Sequence, residues 1–226
     1  MLELRNVYKA YDSPGQTESV KVINGVSLVI DKSRSVALAG ESGCGKSTLL
    51  NIMGALDRPS SGQVLLDGRD LALLLDDDLA MVRNNDIGFI FQMHHLLMQC
   101  TVLENVLIPT LAKGGSSQAD QKRALDLLDQ VQMADFASYR PAQLSGGQCQ
   151  RTAVARALIN KPKIPLADEP TGSLDQDNAE IIGKLLMDIH TQENTALVVV
   201  THSMNLAQQM DQIFEIKKGR LQVREK

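Results

Sequence analysis

The densest chemistry in the chain lies in one run, Gly40-Glu41-Ser42-Gly43-Cys44-Gly45-Lys46-Ser47-Thr48. Glycines at this spacing let a backbone wrap around an anion, with its N–H groups pointing inward at the start of a helix. The apolar run Val36-Ala37-Leu38-Ala39 precedes it and a helical pattern from Ser47 to Leu56 follows. Strand, glycine loop and helix in that order make a cradle for nucleotide phosphates. Lys46 is expected to neutralise the β- and γ-phosphates, and Ser47 to offer a hydroxyl to Mg²⁺. Kinases, GTPases and motors all own such a loop, so the rest of the chain must choose among them.

Two further segments narrow the choice. Leu144-Ser145-Gly146-Gly147-Gln148 lies about a hundred residues later and opens a helical pattern with Ala153, Val154, Ala157 and Leu158 on one face. Ser145 and the paired glycines make a second anion-binding helix start. One nucleotide has room for one phosphate loop in cis, so a second anion site makes sense if it serves another subunit's nucleotide. Alone, such a turn is more often a helix cap. Next, the apolar Leu166-Ala167 ends in Asp168-Glu169-Pro170. Asp168 is placed to hold Mg²⁺, directly or through water, and Glu169 to polarise a water near the γ-phosphate.

The elements that must position these residues read as α/β. Strand-like runs at Val36 to Ala39, Ile87 to Phe91, Ile164 to Ala167 and Ala196 to Val200 are apolar throughout and alternate with helical patterns. That predicts a mostly parallel sheet covered on both faces. Ala124, Leu125, Leu128 and Val131 fall on one helical face. Leu2 to Tyr8 alternates, and Phe214 to Val223 reads as a hairpin around Lys218-Gly219, which adds an antiparallel β edge. From about Met93 to Ala155 strand signals are scarce, so a helical subdomain is expected to be inserted there. The single domain, 1–226, then divides into an α/β core, 1–92 and 156–226, and a helical part, 93–155, carrying Ser145 to Gln148. Asp76-Asp77-Asp78 reads as the capped, dipole-compensated start of a helix rather than a metal site.

Together, in order and over nearly the whole chain, these segments resemble the ATP-binding subunits of ABC transporters. Gly40 to Thr48 looks like the Walker A motif, Leu144 to Gln148 like the ABC signature, and Leu166 to Glu169 like the end of Walker B. The resemblance implies more roles at matching positions. Gln92 matches the Q-loop glutamine, which touches Mg²⁺ or the attacking water and links the core to the helical part. Ser173-Leu174-Asp175 matches the D-loop that crosses the dimer interface. His202 matches the switch histidine at the γ-phosphate, and Tyr11 the aromatic that stacks on adenine. Alone, Gln92 or His202 reads as structural, but each follows a strand's carboxyl end, where α/β proteins bind ligands. The implied mechanism packs two copies head to tail, each ATP lying between one copy's phosphate loop and the other's Ser145–Gln148 segment. ATP and Mg²⁺ are the expected ligands, and Glu169 the expected general base.

Finer segments resemble one bacterial subgroup: Leu56-Asp57-Arg58-Pro59, His94-His95-Leu96-Leu97 and Asp168 to Asp175. It holds lipoprotein-releasing, macrolide-exporter-type and cell-division ATPases. The insertion Asp12 to Glu18 favours the first two, and Thr195 to His202 with Leu206-Ala207 leans toward lipoprotein release. The alternatives are an efflux-pump ATPase of the macrolide-exporter type and a signalling ATPase of cell division that acts through a membrane partner without moving a substrate. The implied place is the cytoplasmic face of the bacterial inner membrane. The membrane partner is expected to meet the surface near Gln92 to Met98, which includes His94, His95, Leu96 and Leu97. Adjacent His94 and His95 do not read as a metal pair.

Composition agrees with this reading. A 43% hydrophobic and 22% charged chain of 226 residues builds a proper core. A net charge of −4 without a basic tract argues against nucleic acid as a partner. No apolar run is long enough to cross a bilayer. Cys44, Cys100 and Cys149 are too dispersed for a zinc site and suit a reducing compartment. Two positions depart from pattern. Pro165 removes a ladder donor from the Walker B strand, so the strand is expected to start after it or to bulge. Cys149 follows the signature where a long polar residue is typical and reads as a tolerated helix residue. Cys44, at a helix start near Lys46, is expected to make ATPase activity sensitive to alkylation and protected by ATP.

Overall fold

The computed structural model describes residues 1–12 and 19–224. All of the Asp12–Glu18 insertion except Asp12 lies outside the described residues. Two sheets organise the chain. The first is antiparallel and separate from the parallel core. It consists of β1 (Leu2–Tyr11), β2 (Val20–Ile30), β4 (Ser61–Leu66) and β5 (Arg69–Asp70) in the order β2-β1-β4-β5. The second holds β3 (Ser35–Ala39), β6 (Ile87–Phe91), β7 (Ile164–Asp168), β8 (Leu197–Val200), β9 (Gln212–Lys217) and β10 (Arg220–Arg224) in the order β10-β9-β3-β8-β7-β6. Five of these strands run parallel. β10 turns back on β9 across Lys218-Gly219, so antiparallel pairing occurs both in its own sheet and at this edge.

Alternation along the central strands explains why they are apolar throughout. Val36, Leu38, Val198, Val200 and Leu166 face a core shared with α1 (Lys46–Met53) and the antiparallel sheet. Ala37, Ala39, Leu197, Val199 and Ala167 face a second core built by helices. Both faces are dry, so every position must be apolar. α1 lies between the sheets with Leu49, Leu50 and Met53 fully buried. It stops at Gly54, short of the expected Leu56. There a side chain would run 2.4 Å from the Phe89 ring, so the helix can approach β6 only where the Cβ is missing.

Between β6 and β7 the chain forms α3 (Val102–Leu107), α4 (Gln118–Gln130) and α5 (Gly146–Leu158) with short 3₁₀ turns. α5 runs through residue 155 without a break. In α4, Ala124, Leu127 and Leu128 are buried, followed by Val131 at the helix end, while Leu125 is exposed. The inward stripe therefore runs through Leu127 rather than Leu125. α2 (Asp76–Asn85) takes all three aspartates inside its first turn, with Leu75 at the cap. They compensate the helix dipole but do not cap. α6 (Gln176–Glu193) and α7 (Met204–Ala207) complete the helices. Among the described residues, no helix is long and apolar enough to cross a membrane.

Pro165 does not behave as expected. β7 starts before it, and the register with β6 runs unbroken through Gly88↔Pro165. The Glu169 N–H bonds Val200, so odd-numbered residues of β7 aim their nitrogens at β8. The ladder with β8 begins at Leu166↔Val198, and beyond it the Ala196 N–H still bonds the Lys163 carbonyl at 3.3 Å, so the proline costs one donor near the end of this pairing rather than in its middle.

Asp67, at the end of β4, bonds Lys163 at the start of β7 and the amino terminus. Lys163 first, then the amino group, hold its carboxyl down to about 2. A depressed folded pKa gives stability that is complete above the usual carboxylate range and is lost as pH falls toward 2. Because the pair is partly solvated, the contribution is ~1 kcal/mol. Asp67→Asn is expected to shallow the acid limb of a stability-versus-pH curve between about pH 4 and pH 2 and, because Asp67 also raises the Lys163 ammonium, to shallow the alkaline limb as well. Denaturant melts across that window check this.

Candidate ATP site

Parallel strands deliver the site at their carboxyl ends. β3 leads into the glycine loop, β6 into Gln92, β7 ends in Asp168 before Glu169, and β8 leads to His202. In space β3, β8 and β7 are neighbours and β6 flanks β7. Four segments distant in sequence therefore converge on one open cleft of about 550 Å³. It is lined by Ser42, Gly43, Gly45, Lys46, Ser47, Thr48, Gln92, Glu169 and His202, with Val22 from β2.

The loop is held for an anion. Gly45 has φ +105, and a Cβ there would meet the Val22 carbonyl at 3.0 Å, so only glycine lets the loop turn into α1. Lys46 is 7% exposed, and its Nζ donates to the carbonyls of Gly40 and Glu41 at 2.9 Å each. The cation is thus suspended inside the loop that it serves. The Ser47 hydroxyl donates to the Asp168 carboxylate at 3.0 Å. Burial pushes the Asp168 carboxyl up, Ser47 opposes that, the Glu169 charge adds to it and Lys46 subtracts.

Glu169 sits at φ +46, held by its N–H to Val200 at 2.9 Å and by its carbonyl, which accepts the Gly172 N–H at 3.0 Å. Its Oε2 accepts the His202 backbone N–H at 3.2 Å and lies 2.9 Å from His202 Nδ1. The Gln92 carbonyl accepts from the Ser173 hydroxyl at 3.3 Å, so the segment after β7 is fastened to the segment after β6.

The family model described as ABC transporter matches residues 23–172. The chain belongs to the ABC transporter family. Two lipoprotein-releasing system ATP-binding proteins, from Rhodopirellula baltica and Shewanella oneidensis, are 46% and 47% identical to it. Those alignments cover 98% and 100% of this chain, and 96% and 97% of the relatives. A macrolide export ATP-binding/permease protein of Bartonella quintana is 45% identical over 98% of this chain, which spans 33% of that longer protein. A solved dimeric ATP-binding cassette, in a post-hydrolysis state with ADP and Pi, matches with a TM-score of 0.91 at 40% identity. That match covers 100% of this chain and 98% of the other.

This ABC ATPase keeps its signature outside the cleft. Ser145 caps α5, accepting the Gln148 N–H at 3.3 Å, while the Gln148 side chain accepts the Ser145 N–H at 2.8 Å. Ser145 and Gly146 are exposed, and neither lines the cleft that holds Lys46. Asp175 caps α6 by accepting from the Asn178 N–H at 3.0 Å and its amide at 2.7 Å, and these bonds lower its carboxyl. A Cβ on Gly147 would stand 2.3 Å from Asn178 Oδ1. The signature and the D-loop therefore start side by side. Asn178, which joins them, carries no motif signal and was not expected, and neither was Val22.

Tyr11 is exposed beside the cleft without lining it. Its hydroxyl donates to Asp57 at 2.7 Å, and Lys9 Nζ lies 4.7 Å from the ring centre. Burial first, then the Asp57 bond, raises its pKa.

Glu41 and Cys44 belong to a different cavity of about 650 Å³, shared with Glu215, Lys217 and Arg220 of the C-terminal hairpin. The Cys44 sulfur packs on Gly40, where a Cβ would come within 2.7 Å of it. Maleimide modification is expected to abolish ATPase activity by pushing the loop off that contact, with ATP slowing the loss. Cys44→Ser should remove the sensitivity although Cys100 and Cys149 stay free. Intact activity after modification of Cys44, verified by mass, is the contrary result.

Proposed function

We propose that this ATPase works as a homodimer that powers lipoprotein release from the bacterial inner membrane, bound to the cytoplasmic face of integral membrane subunits. Support for the dimer comes from one observation: the cleft gathers Lys46, Ser47, Gln92, Glu169 and His202, with Asp168 bonded to Ser47, but not the signature. A second copy placed head to tail brings Ser145, Gly146, Gly147 and Gln148 to the γ-phosphate, with Asp175 at the interface. Tyr11 stacks on adenine. Support for lipoprotein release is the 46–47% identity, over nearly full length on both sides, to the two lipoprotein-releasing proteins. The macrolide-export reading rests on the Bartonella quintana relative.

The Ser47 hydroxyl and the Asp168 carboxylate, both hard oxygen donors in contact, suit Mg²⁺, with Gln92 beside them. The ion supplies charge neutralisation at the phosphates. Lys46 adds a positive charge there, His202 contacts the γ-phosphate, and Glu169 accepts a proton from the attacking water. The α/β core of 1–92 and 156–226 carries the nucleotide, and the helical part, 93–155, carries the signature.

The membrane subunit docks along Gln92 to Met98. Met93, Leu97 and Met98 are exposed there, beside an apolar groove of about 550 Å³ lined by Leu56, Phe91, His95 and Ile108. The test is co-purification with the membrane proteins encoded beside it, followed by reconstitution in vesicles carrying an acylated lipoprotein. ATP-dependent transfer of the lipoprotein to a soluble acceptor is expected. ATP-driven macrolide movement without lipoprotein transfer selects the other reading.

A further inference from the structure

The chain leaving β6 is fastened to α5 at points that no motif marks. Just beyond Gln92, His94 and His95 both take left-handed backbone angles, φ +55 and +50. Two consecutive non-glycine residues in that region need a reason. The turn aims both carbonyls at one guanidinium: Arg156 donates to His94 O and to His95 O at 2.6 Å each. Among the described residues, no carboxylate pairs with Arg156, so these carbonyls are its partners.

A second tie lies higher on the same helix. Gln150 is 0% exposed, and its Oε1 meets His94 Nδ1, while its Nε2 has no partner among the described residues. A fully buried amide with half its capacity unused is costly for the fold. Leucine would fill the same space without that cost. Gln150 stands two residues after Gln148 in the signature, and His94 two residues after Gln92. Further along, buried Asn105 of α3 knots the loop by accepting the Leu97 N–H at 2.8 Å and donating to the Leu97 and Thr101 carbonyls. The loop thus has little freedom to move apart from the helices.

We propose that His94, Gln150 and Arg156 are positioning residues for ATP hydrolysis, making Gln92 and the signature helix one mechanical unit. The inference rests on the reading of Gln92 as a residue of the ATP site. None of the three lines the ATP cleft; they act through the placement of Gln92.

The test is a set of steady-state ATPase measurements on the full chain with Gln150→Leu, His94→Gly and Arg156→Lys. Glycine tolerates the left-handed angle and has no side chain to meet Gln150. Lysine keeps the charge but cannot fork between two carbonyls. Each variant is expected to lower kcat by about 10- to 100-fold with KM for ATP little changed, the signature of misplacement. Gln150→Leu should melt no lower than the parent. Combined with Gln92→Ala, each should add no further loss, since the effect passes through Gln92. Losses that multiply with Gln92→Ala would overturn the proposal, as would unchanged kcat in Gln150→Leu and His94→Gly while Gln92→Ala is impaired. If Gln92→Ala alone leaves kcat intact, the reading of Gln92 itself falls. His94→Gly, at a partly exposed turn, carries the test should Gln150→Leu not fold.

Discussion

Glu169→Gln is expected to lower the ATPase rate by roughly 10²- to 10⁴-fold while ATP binding survives. The amide is isosteric with the carboxylate, so it can keep the bond from the His202 N–H and the backbone held by Val200 and Gly172. It loses the ability to take a proton. It also removes a negative charge close to where the γ-phosphate must lie, so ATP affinity should hold or rise. Bound ATP that is not hydrolysed should keep two copies together. Size exclusion with ATP and Mg²⁺ should then show a stable dimer for the variant and a transient one for the parent. A variant that turns over at the parent rate would remove Glu169 from the role of base.

Complementation between two inactive variants should show the second large effect. Lys46→Ala removes the cation that spans the Gly40 and Glu41 carbonyls, so both the charge and the loop shape suffer. Ser145→Arg places a bulky side chain at the exposed start of α5 and breaks the reciprocal bonds with Gln148. Each variant alone should hydrolyse ATP at background rate. Mixed in equal amounts, they form heterodimers in which the Lys46 of one copy faces the Ser145 of the other, giving one intact site. Random pairing makes half the dimers mixed with half their sites intact, so activity should recover to at most about a quarter of the parent's. Absence of recovery, with heterodimers verified by mass, would place the signature in service of its own cleft and overturn the head-to-tail arrangement.

Local motifs were legible because their physics is local. A loop that wraps phosphate needs its glycines, lysine and hydroxyl within one turn, and residues 40–48 hold them in a row. Five apolar residues in a strand report burial on two faces wherever the strand goes. Partners across the chain were harder to read. The helical period placed Leu125 inside, but packing against the rest of the helical layer selects Leu127. Pro165 looked disruptive, but it costs a single donor near the end of the pairing with β8. The thiol of Cys44 sits within the phosphate loop in sequence yet faces another cavity, because a side chain's direction depends on the turn that carries it.

Residue order alone therefore determined the local groups that this chain carries: a glycine-rich loop with its lysine, two acids at a strand end, and a second glycine-rich helix start. The tertiary structure decided which of them share a space. Lys46, Gln92, Asp168, Glu169 and His202 meet because β3, β8, β7 and β6 lie side by side and parallel, an arrangement set by burying two apolar faces at once. Ser145 starts a helix of the other layer and stays outside that cleft. Sequence spacing cannot express such a separation, because it arises from how distant elements pack rather than from any residue's neighbours.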